Sequence, residues 1–330
     1  MLRYRYPWLA ALFAGALAFA LTSCAGGGSD QKLSLVAYST PQEAYEQVIQ
    51  AFGRTPQGRD VAFTTSFGPS GDQSRAVAAG LPADVVAFSL EPDMTRLVNA
   101  KVVAADWNKD EYDGMVTKSV VVIGVRKGNP KGIRTWEDLT RPGVEVITPN
   151  PFTSGGARWN VLAAYGAASH KGTAEQNGID YLERLFANVP VQDDSARKSL
   201  QTFSSGKGDA ILAYENEMIF AQHKGAPLDY VVPDETISIE NPAAVPVTSK
   251  HPTEAKAFLR YLRTPQAQEI FVKNGYRPAA DGVPGADEFP TPSGLFTIED
   301  LGGWAEVTKK FFDPQSSIMA DVERKIGVSR

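Results

Sequence analysis

The residues of this 330-residue chain best suited to chemistry form one run, Thr148-Pro149-Asn150-Pro151-Phe152-Thr153-Ser154-Gly155-Gly156-Ala157-Arg158-Trp159-Asn160. A short apolar strand over 144–147 leads into it. Two prolines then block regular pairing, since proline fixes φ and lacks an N–H. After Thr-Ser-Gly-Gly, the residues Trp159, Leu162, Ala163 and Gly166 recur at helix spacing. Ser154 or Thr153 is therefore a natural helix N-cap, with Gly155 and Gly156 in the first turn. A helix start leaves several backbone N–H groups without partners and carries partial positive charge. Glycines there let a ligand approach the backbone, so the run fits an anion site that needs no charged side chain. A plain capped helix, with glycines that only ease a tight turn, has the same composition, and the residues alone leave both readings open.

The elements that must position this run repeat its logic. A strand over 33–37 leads through Tyr38-Ser39-Thr40-Pro41 into a helix whose apolar face is Tyr45, Val48, Ile49 and Phe52. A strand over 61–65 leads through Ser66-Phe67-Gly68-Pro69-Ser70-Gly71-Asp72 into a helix reaching Ala79. A third strand over 84–88 precedes a helix opened by Pro92, and a long apolar strand covers 118–126. Beyond the central run we expect a helix over 174–186, a short strand over 189–191 and a helix begun by Asp193-Asp194-Ser195-Ala196-Arg197. A strand over 210–213 ends at Tyr214-Glu215-Asn216-Glu217, and helices follow over 252–262 and 265–274. Such alternation predicts an α/β fold with a parallel sheet covered on both faces. Ligands in such sheets gather at the C-terminal strand ends, where these turns lie.

The segment VITPNPFTSGGARWN resembles the signature of the sulfate-binding proteins of ABC importers, whose members carry an almost identical VITPNPKSSGGARWN. SFGPSGDQ is similar to the family turn SHGGSGKQ, with Asp72 where lysine is frequent. DDSAR stands where DSGAR is usual, and Tyr214 stands where AWENE has tryptophan. The resemblance continues through Tyr276-Arg277-Pro278 and 296–312, so it covers about 33–312. It implies a two-domain, type II periplasmic-binding-protein-like fold with a ligand cleft between the domains. Domain 1 would hold 33–120 plus 243–330 and domain 2 would hold 121–242, with crossing segments near 118–126 and 236–240. It implies ligand contacts at Ser70, Ser154, Gly155, Gly156 and Ala196. Tyr214 would donate in place of an indole N–H, with different reach and direction. Arg158 and Arg197 would balance charge from just outside the site; a surface or domain-packing salt bridge explains them as well. Thr40 occupies a position that often holds aspartate in relatives. The implied partners are the sulfate anion and the permease and ATPase subunits of an importer, with no cofactor and no metal, and the expected state is a monomer.

Protonation separates the candidate anions. Sulfate is fully deprotonated near neutral pH and only accepts hydrogen bonds. Phosphate keeps a proton and favours a site that includes an acceptor such as a carboxylate. A buried carboxylate facing sulfate would meet like charge in low dielectric. Asp72 and Asp194 adjoin the proposed ligand residues and are either solvent-facing helix-start carboxylates or acceptors. Sulfate leads, possible thiosulfate binding included in that reading, and another oxyanion such as phosphate or molybdate is the alternative. The formal charge of −5 argues against a nucleic-acid partner, which needs a basic face. An enzyme finds little support: His170, His223 and His251 are widely spaced, no H-E-x-x-H or G-x-S-x-G occurs, and Gly206-Lys207 lacks a Walker pattern. An adhesin or structural lipoprotein would have no need of three donor turns.

The first 23 residues read as an export signal. Arg3 and Arg5 precede an apolar run over 8–20, and Leu21-Thr22-Ser23 leads to Cys24, the one cysteine of the chain. Removing this segment takes away two positive charges and no acid, moving the formal charge from −5 to −7. The apolar run falls short of the ~20 residues a spanning helix needs. The ending resembles the lipobox of bacterial lipoproteins, which implies lipidation at Cys24, a polar tether over 24–32 and attachment to the outer face of the cytoplasmic membrane. An ordinary cleaved signal peptide or a short anchor also fits these residues.

Overall fold

The computed structural model describes residues 31–327. The export signal, Cys24 and most of the tether lie outside the described residues. The first lobe begins with β1 (Gln31–Tyr38), α1 (Gln42–Phe52), β2 (Val61–Gly68), α2 (Ser70–Ala78), β3 (Val85–Ala87) and α3 (Glu91–Asn99). Strands β2, β1 and β3 are parallel neighbours. β1 is buried on both faces, as a central parallel strand must be. Leu33, Leu35 and Ala37 face Val48, Phe52, Phe258 and Phe271, while Val36 faces Met94 and Leu97 on the other side.

β4 (Met115–Arg126) then runs from this lobe into the second. Its first part pairs antiparallel with residues 238–242, and Val121–Val125 pair antiparallel with a strand of the second lobe. That lobe contains β5 (Val146–Ile147), α4 (Gly155–Ala168), α5 (Glu175–Ala187), α6 (Ala196–Ser204), β6 (Ala210–Tyr214), α7 (Glu215–His223) and β7 (Leu228–Val231). Side chains alternate along β4: Val121, Ile123 and Val125 enter the core around α4, and Val120 and Val122 enter the core around Phe203 and Met218. α4 is buried almost all round, Arg158 and Ala168 excepted, so it forms the centre of its lobe rather than a surface helix with one apolar stripe. The expected strand over 189–191 reduces to one bridge between Val191 and Ile147.

The chain returns along β8 (Glu235–Ala244). Its end pairs antiparallel with β3, its middle with β4. The sheet order β2-β1-β3-β8-β4-β6-β5 is therefore continuous through both lobes. Within each lobe the strand–helix–strand units are parallel. The antiparallel pairs fall at β4 and β8, where the chain crosses outward and comes back.

α8 (Pro252–Leu262), α9 (Pro265–Lys273) and β9 (Arg277–Pro278) complete the first lobe. The chain ends with β10 (Gly294–Phe296), α10 (Gly303–Phe312) and α11 (Ile318–Lys325). These pack on the second lobe, and α10 also touches α3 of the first. β10 pairs with the start of β8, Trp304 meets Trp159 edge-on at 4.8 Å, and Phe311 meets Tyr165 at 4.6 Å. Phe296 lies against Gly166, where a Cβ would come within 2.3 Å of the ring.

Candidate functional site

The ends of β1 and β6 and the starts of α2, α4 and α6 meet around a small, partly open cavity of about 10 Å³. Its lining is Tyr38, Ser39, Thr40, Pro69, Ser70, Ser89, Ser154, Gly155, Gly156, Ala196 and Tyr214. All six ligand residues expected from the sequence are there, with Thr40. No lining residue is an acid, a base or a histidine. Burial raises the Tyr214 phenol well above its ordinary value, helped by Asp93 and Glu217 and opposed by hydrogen bonds from Ser89 and Asn241, so Tyr214 stays protonated.

Each helix start presents N–H groups in its own way. In α4 the Ser154 N–H bonds to the Asn150 carbonyl at 2.9 Å, and its Oγ accepts from the Ala157 N–H at 3.4 Å. Gly155 and Gly156, in the first turn, have no intrahelical acceptor for their N–H groups. They are glycines because the walls touch. A Cβ on Gly155 would lie 2.6 Å from Ser89 Oγ, and one on Gly156 would lie 3.2 Å from the Ala196 Cβ. In α6, Ser195 caps the Lys198 N–H at 3.4 Å and leaves the Ala196 and Arg197 N–H groups at the start. In α2 the first N–H to bond back is that of Gln73, to the Pro69 carbonyl at 3.0 Å.

Ser70 differs from the other serines. Its hydroxyl donates to the buried Asp93 carboxylate at 2.6 Å and accepts from the Ser89 N–H at 3.0 Å. Its side-chain proton is therefore held away from the cavity, and what it offers a ligand is its backbone N–H. Arg96 compensates Asp93 at 2.7 Å.

The charged residues beside the motifs lie outside the lining. Arg197, on α6, donates to Glu217 at 2.9 Å, to Glu43 of the first lobe at 2.8 Å and to the Thr40 carbonyl at 2.7 Å. Burial works against its charge, but Glu217 and Glu43 outweigh burial and hold its pKa above the ordinary arginine value. It is a domain-packing ion pair that joins the lobes beside the pocket. Arg158 donates to the Pro151 carbonyl at 2.9 Å and lies over the Phe312 ring. Burial lowers its pKa, Arg96 and Arg75 adding to the effect and Asp93 opposing it. Asp72 pairs with Arg75 within α2, and Asp194, two residues before α6, pairs with Lys198, each with about half of the carboxylate side chain exposed. Neither enters the pocket.

Ser89 is the residue that sequence reasoning missed. Its Oγ lies 2.6 Å from the Tyr214 hydroxyl, and its carbonyl accepts from Trp159 Nε1 at 2.9 Å and Asn241 Nδ2 at 3.0 Å. The signal was present: Ser89 follows β3 and precedes a helix carrying Pro92, the same strand–serine–helix order as the other turns. Tyr38, Ser39 and Pro69 also joined the lining unannounced. Among the described residues, no group of three or more His, Cys, Asp and Glu side chains is placed to hold a metal ion.

Residues 33–277 match the family of bacterial extracellular solute-binding proteins. The sulfate-binding protein of Synechococcus elongatus is 43% identical over 302 residues, which cover 88% of this chain and 86% of that protein. The thiosulfate-binding protein of Pseudomonas aeruginosa is 32% identical, covering 86% of this chain and 89% of that one. The solved structure of the sulfate-binding protein SubI from Mycobacterium tuberculosis superposes with a TM-score of 0.84 at 47% identity, covering 86% of this chain and all of that one.

Proposed function

The chain belongs to the bacterial extracellular solute-binding proteins, and from that premise we propose that it captures sulfate in the cell envelope and delivers it to an ABC permease driven by its ATPase. One observation carries the choice of ligand: a small pocket between two lobes, ringed by helix starts and lined by no charged side chain. A dianion that only accepts hydrogen bonds suits such a lining, because backbone dipoles meet its charge and no acceptor is left facing it. Ser154, Gly155, Gly156 and Ala196 donate to it, Ser70 through its backbone, and Tyr214 as the hydroxyl donor. Thr40 lines the pocket beside these groups, and Arg158 and Arg197 support them from outside the lining. The relatives are named for what they bind, and the chain is accordingly a binding protein rather than an enzyme. Thiosulfate is a second ligand to test, because one relative is a thiosulfate-binding protein. Phosphate loses its motive with Asp72 and Asp194 turned to solvent.

The domain division we favour keeps 33–120 and 121–242 as the two lobes and assigns 243–290 to the first. The packing of β10, α10 and α11 on α4 and α5 supports counting 294–327 with the second. The protein acts as a monomer tethered by lipid at Cys24, a reading that rests on the sequence around that cysteine. Cys24→Ala should release it from membranes and remove the lipid mass; unchanged retention and mass would reject the anchor. Calorimetry of the purified soluble chain with sulfate, thiosulfate, phosphate and molybdate tests the ligand. Tight sulfate binding is expected, and phosphate binding without sulfate binding would refute the assignment.

A further inference from the structure

The contact between Ser89 and Tyr214 bears on how the pocket chooses its anion. The two hydroxyl oxygens are 2.6 Å apart, both residues are 1% exposed, and both line the cavity. They come from opposite lobes, Ser89 from the end of the β3 segment and Tyr214 from the end of β6. Two hydroxyls carry two protons, and the one bond between them uses only one. The Asn241 side chain also meets the Tyr214 hydroxyl and lowers the phenol pKa as a donor does, so this contact takes up no proton of the couple. Of the other neighbouring groups, the Tyr38 hydroxyl in the same lining is without a partner, and the rest are engaged. Ser70 Oγ already receives the Ser89 N–H, Asn241 turns its nitrogen to the Ser89 carbonyl, and the Asn241 oxygen receives Thr117 Oγ1 at 3.2 Å. The raised phenol pKa means that Tyr214 does not lose the extra proton by ionising. A buried donor left without an acceptor is costly.

We propose that Ser89 is a specificity-determining residue: with Tyr214 it forms a hydroxyl couple that delivers its one surplus proton to the bound anion. The proposal rests on the reading of the pocket as a sulfate site. A fully deprotonated tetrahedral oxyanion supplies the missing acceptor. Hydrogen phosphate presenting its P–OH there sets proton against proton, and reversing the couple would require another acceptor for the surplus proton. Either order of donation works, Ser89 to Tyr214 to anion or Tyr214 to Ser89 to anion. Either oxygen alone therefore still carries a proton to the ligand, whereas loss of both removes the donor.

That redundancy gives the test a signature that a structural role would not produce. Sulfate and phosphate are titrated calorimetrically at neutral pH into the mature chain, Ser89→Ala, Tyr214→Phe and the double variant, with circular dichroism to follow folding. Each single change should weaken sulfate by about fivefold or less, and the double change by roughly ten- to hundredfold. The preference for sulfate over phosphate should fall in the double variant alone. Additive losses, an unaffected double variant or an unaltered preference would each overturn the proposal. If Ser89→Ala folds poorly, Ser89→Cys, a weak donor of similar size, replaces it in the same cycle. A wild-type chain that binds no sulfate would refute the reading of the pocket itself, a result distinct from an additive cycle in a chain that binds it.

Discussion

The starts of α2 and α4 look alike in sequence, each a serine followed by glycine at the end of a turn, yet they bring different groups to the pocket. At α2, the Ser70 hydroxyl is committed in both directions, to Asp93 and from Ser89. Ser74 and Arg96 brace the same aspartate. At α4, the Ser154 oxygen caps its own helix, and no acceptor among the described residues takes its proton. At α2 the serine therefore offers its backbone N–H, while at α4 it keeps a side-chain proton for the ligand. Equivalent motifs on two lobes need not have equivalent roles, and the partner of the serine decides which role it has.

The largest effect should come from separating the two walls. Arg197 joins them through Glu43 and the Thr40 carbonyl while also compensating Glu217, whose side chain is 1% exposed. Arg197→Ala leaves that carboxylate buried without its cation, and removing one partner of a buried pair costs about 3–5 kcal/mol. Denaturant unfolding should show the loss, accompanied by weaker sulfate binding. A stability change below about 1 kcal/mol would mean that the pair behaves as a surface bridge.

Next in size is Gly155→Ala, which strikes the line where the walls meet. The added Cβ would lie 2.6 Å from Ser89 Oγ, 2.7 Å from Ser89 Cβ and 2.9 Å from Leu90 Cδ2. Two of these atoms belong to a side chain anchored by its own backbone bonds, so relief requires the lobes to part. Overpacking of this kind costs ~1–3 kcal/mol, roughly a ten- to hundredfold loss of affinity. Each lobe should keep its fold, so circular dichroism should be unchanged. Wild-type affinity in this variant would show that the walls do not need to touch for binding.

A comparison of Ser154→Ala with Ser70→Ala sharpens the contrast directly. The first removes an uncommitted donor and should cost ~1.5–3 kcal/mol of binding, as expected for a hydrogen bond to a charged group. The second leaves Asp93 and the Ser89 N–H short of a partner and should lower stability by about 1–3 kcal/mol, with the smaller effect on affinity. If Ser70→Ala proves the more damaging to binding, the assignment of roles to the two walls is reversed.

Much of this site was legible in the sequence because each helix start carries its own signal. Proline, serine and glycine at the strand ends marked the turns at Ser70 and Ser154 as helix starts, while the resemblance to sulfate-binding proteins supplied the ligand contacts, Ala196 and Tyr214 included. Ser89 was not singled out because its signal lacks a glycine and its importance depends on Tyr214, which lies 125 residues away. A domain-packing salt bridge was one of the two readings of Arg197, but its partners were hidden, since Glu43 and Glu217 come from α1 and α7. The uniform burial of α4 could not be read from one apolar face, because Ala and Gly there admit neighbours on every side. The packing of α10 and α11 on the second lobe follows from aromatic contacts with Trp159 and Tyr165 that no local pattern announces.

The smallest effect is expected where the sequence was most ambiguous. Asp72 and Asp194 sit beside proposed ligand residues, and an inward carboxylate at either place would have favoured a protonated anion. In the fold, Asp72 pairs with Arg75 three residues on and Asp194 with Lys198 four residues on, with half of each carboxylate side chain in solvent. Exposed pairs of this sort contribute about 0–1 kcal/mol. A carboxylate at a helix start adds ~0.3–1 kcal/mol through the helix dipole, and salt screens it. Asp72→Asn and Asp194→Asn should therefore lower stability slightly and change sulfate affinity by about twofold or less, within the ±0.5 kcal/mol usual for surface positions. Neither should alter the ratio of sulfate to phosphate affinity in calorimetry. A wild-type chain whose phosphate binding disappears in either variant would show that one of these carboxylates reaches the anion. The neutral lining would then no longer explain the choice of ligand.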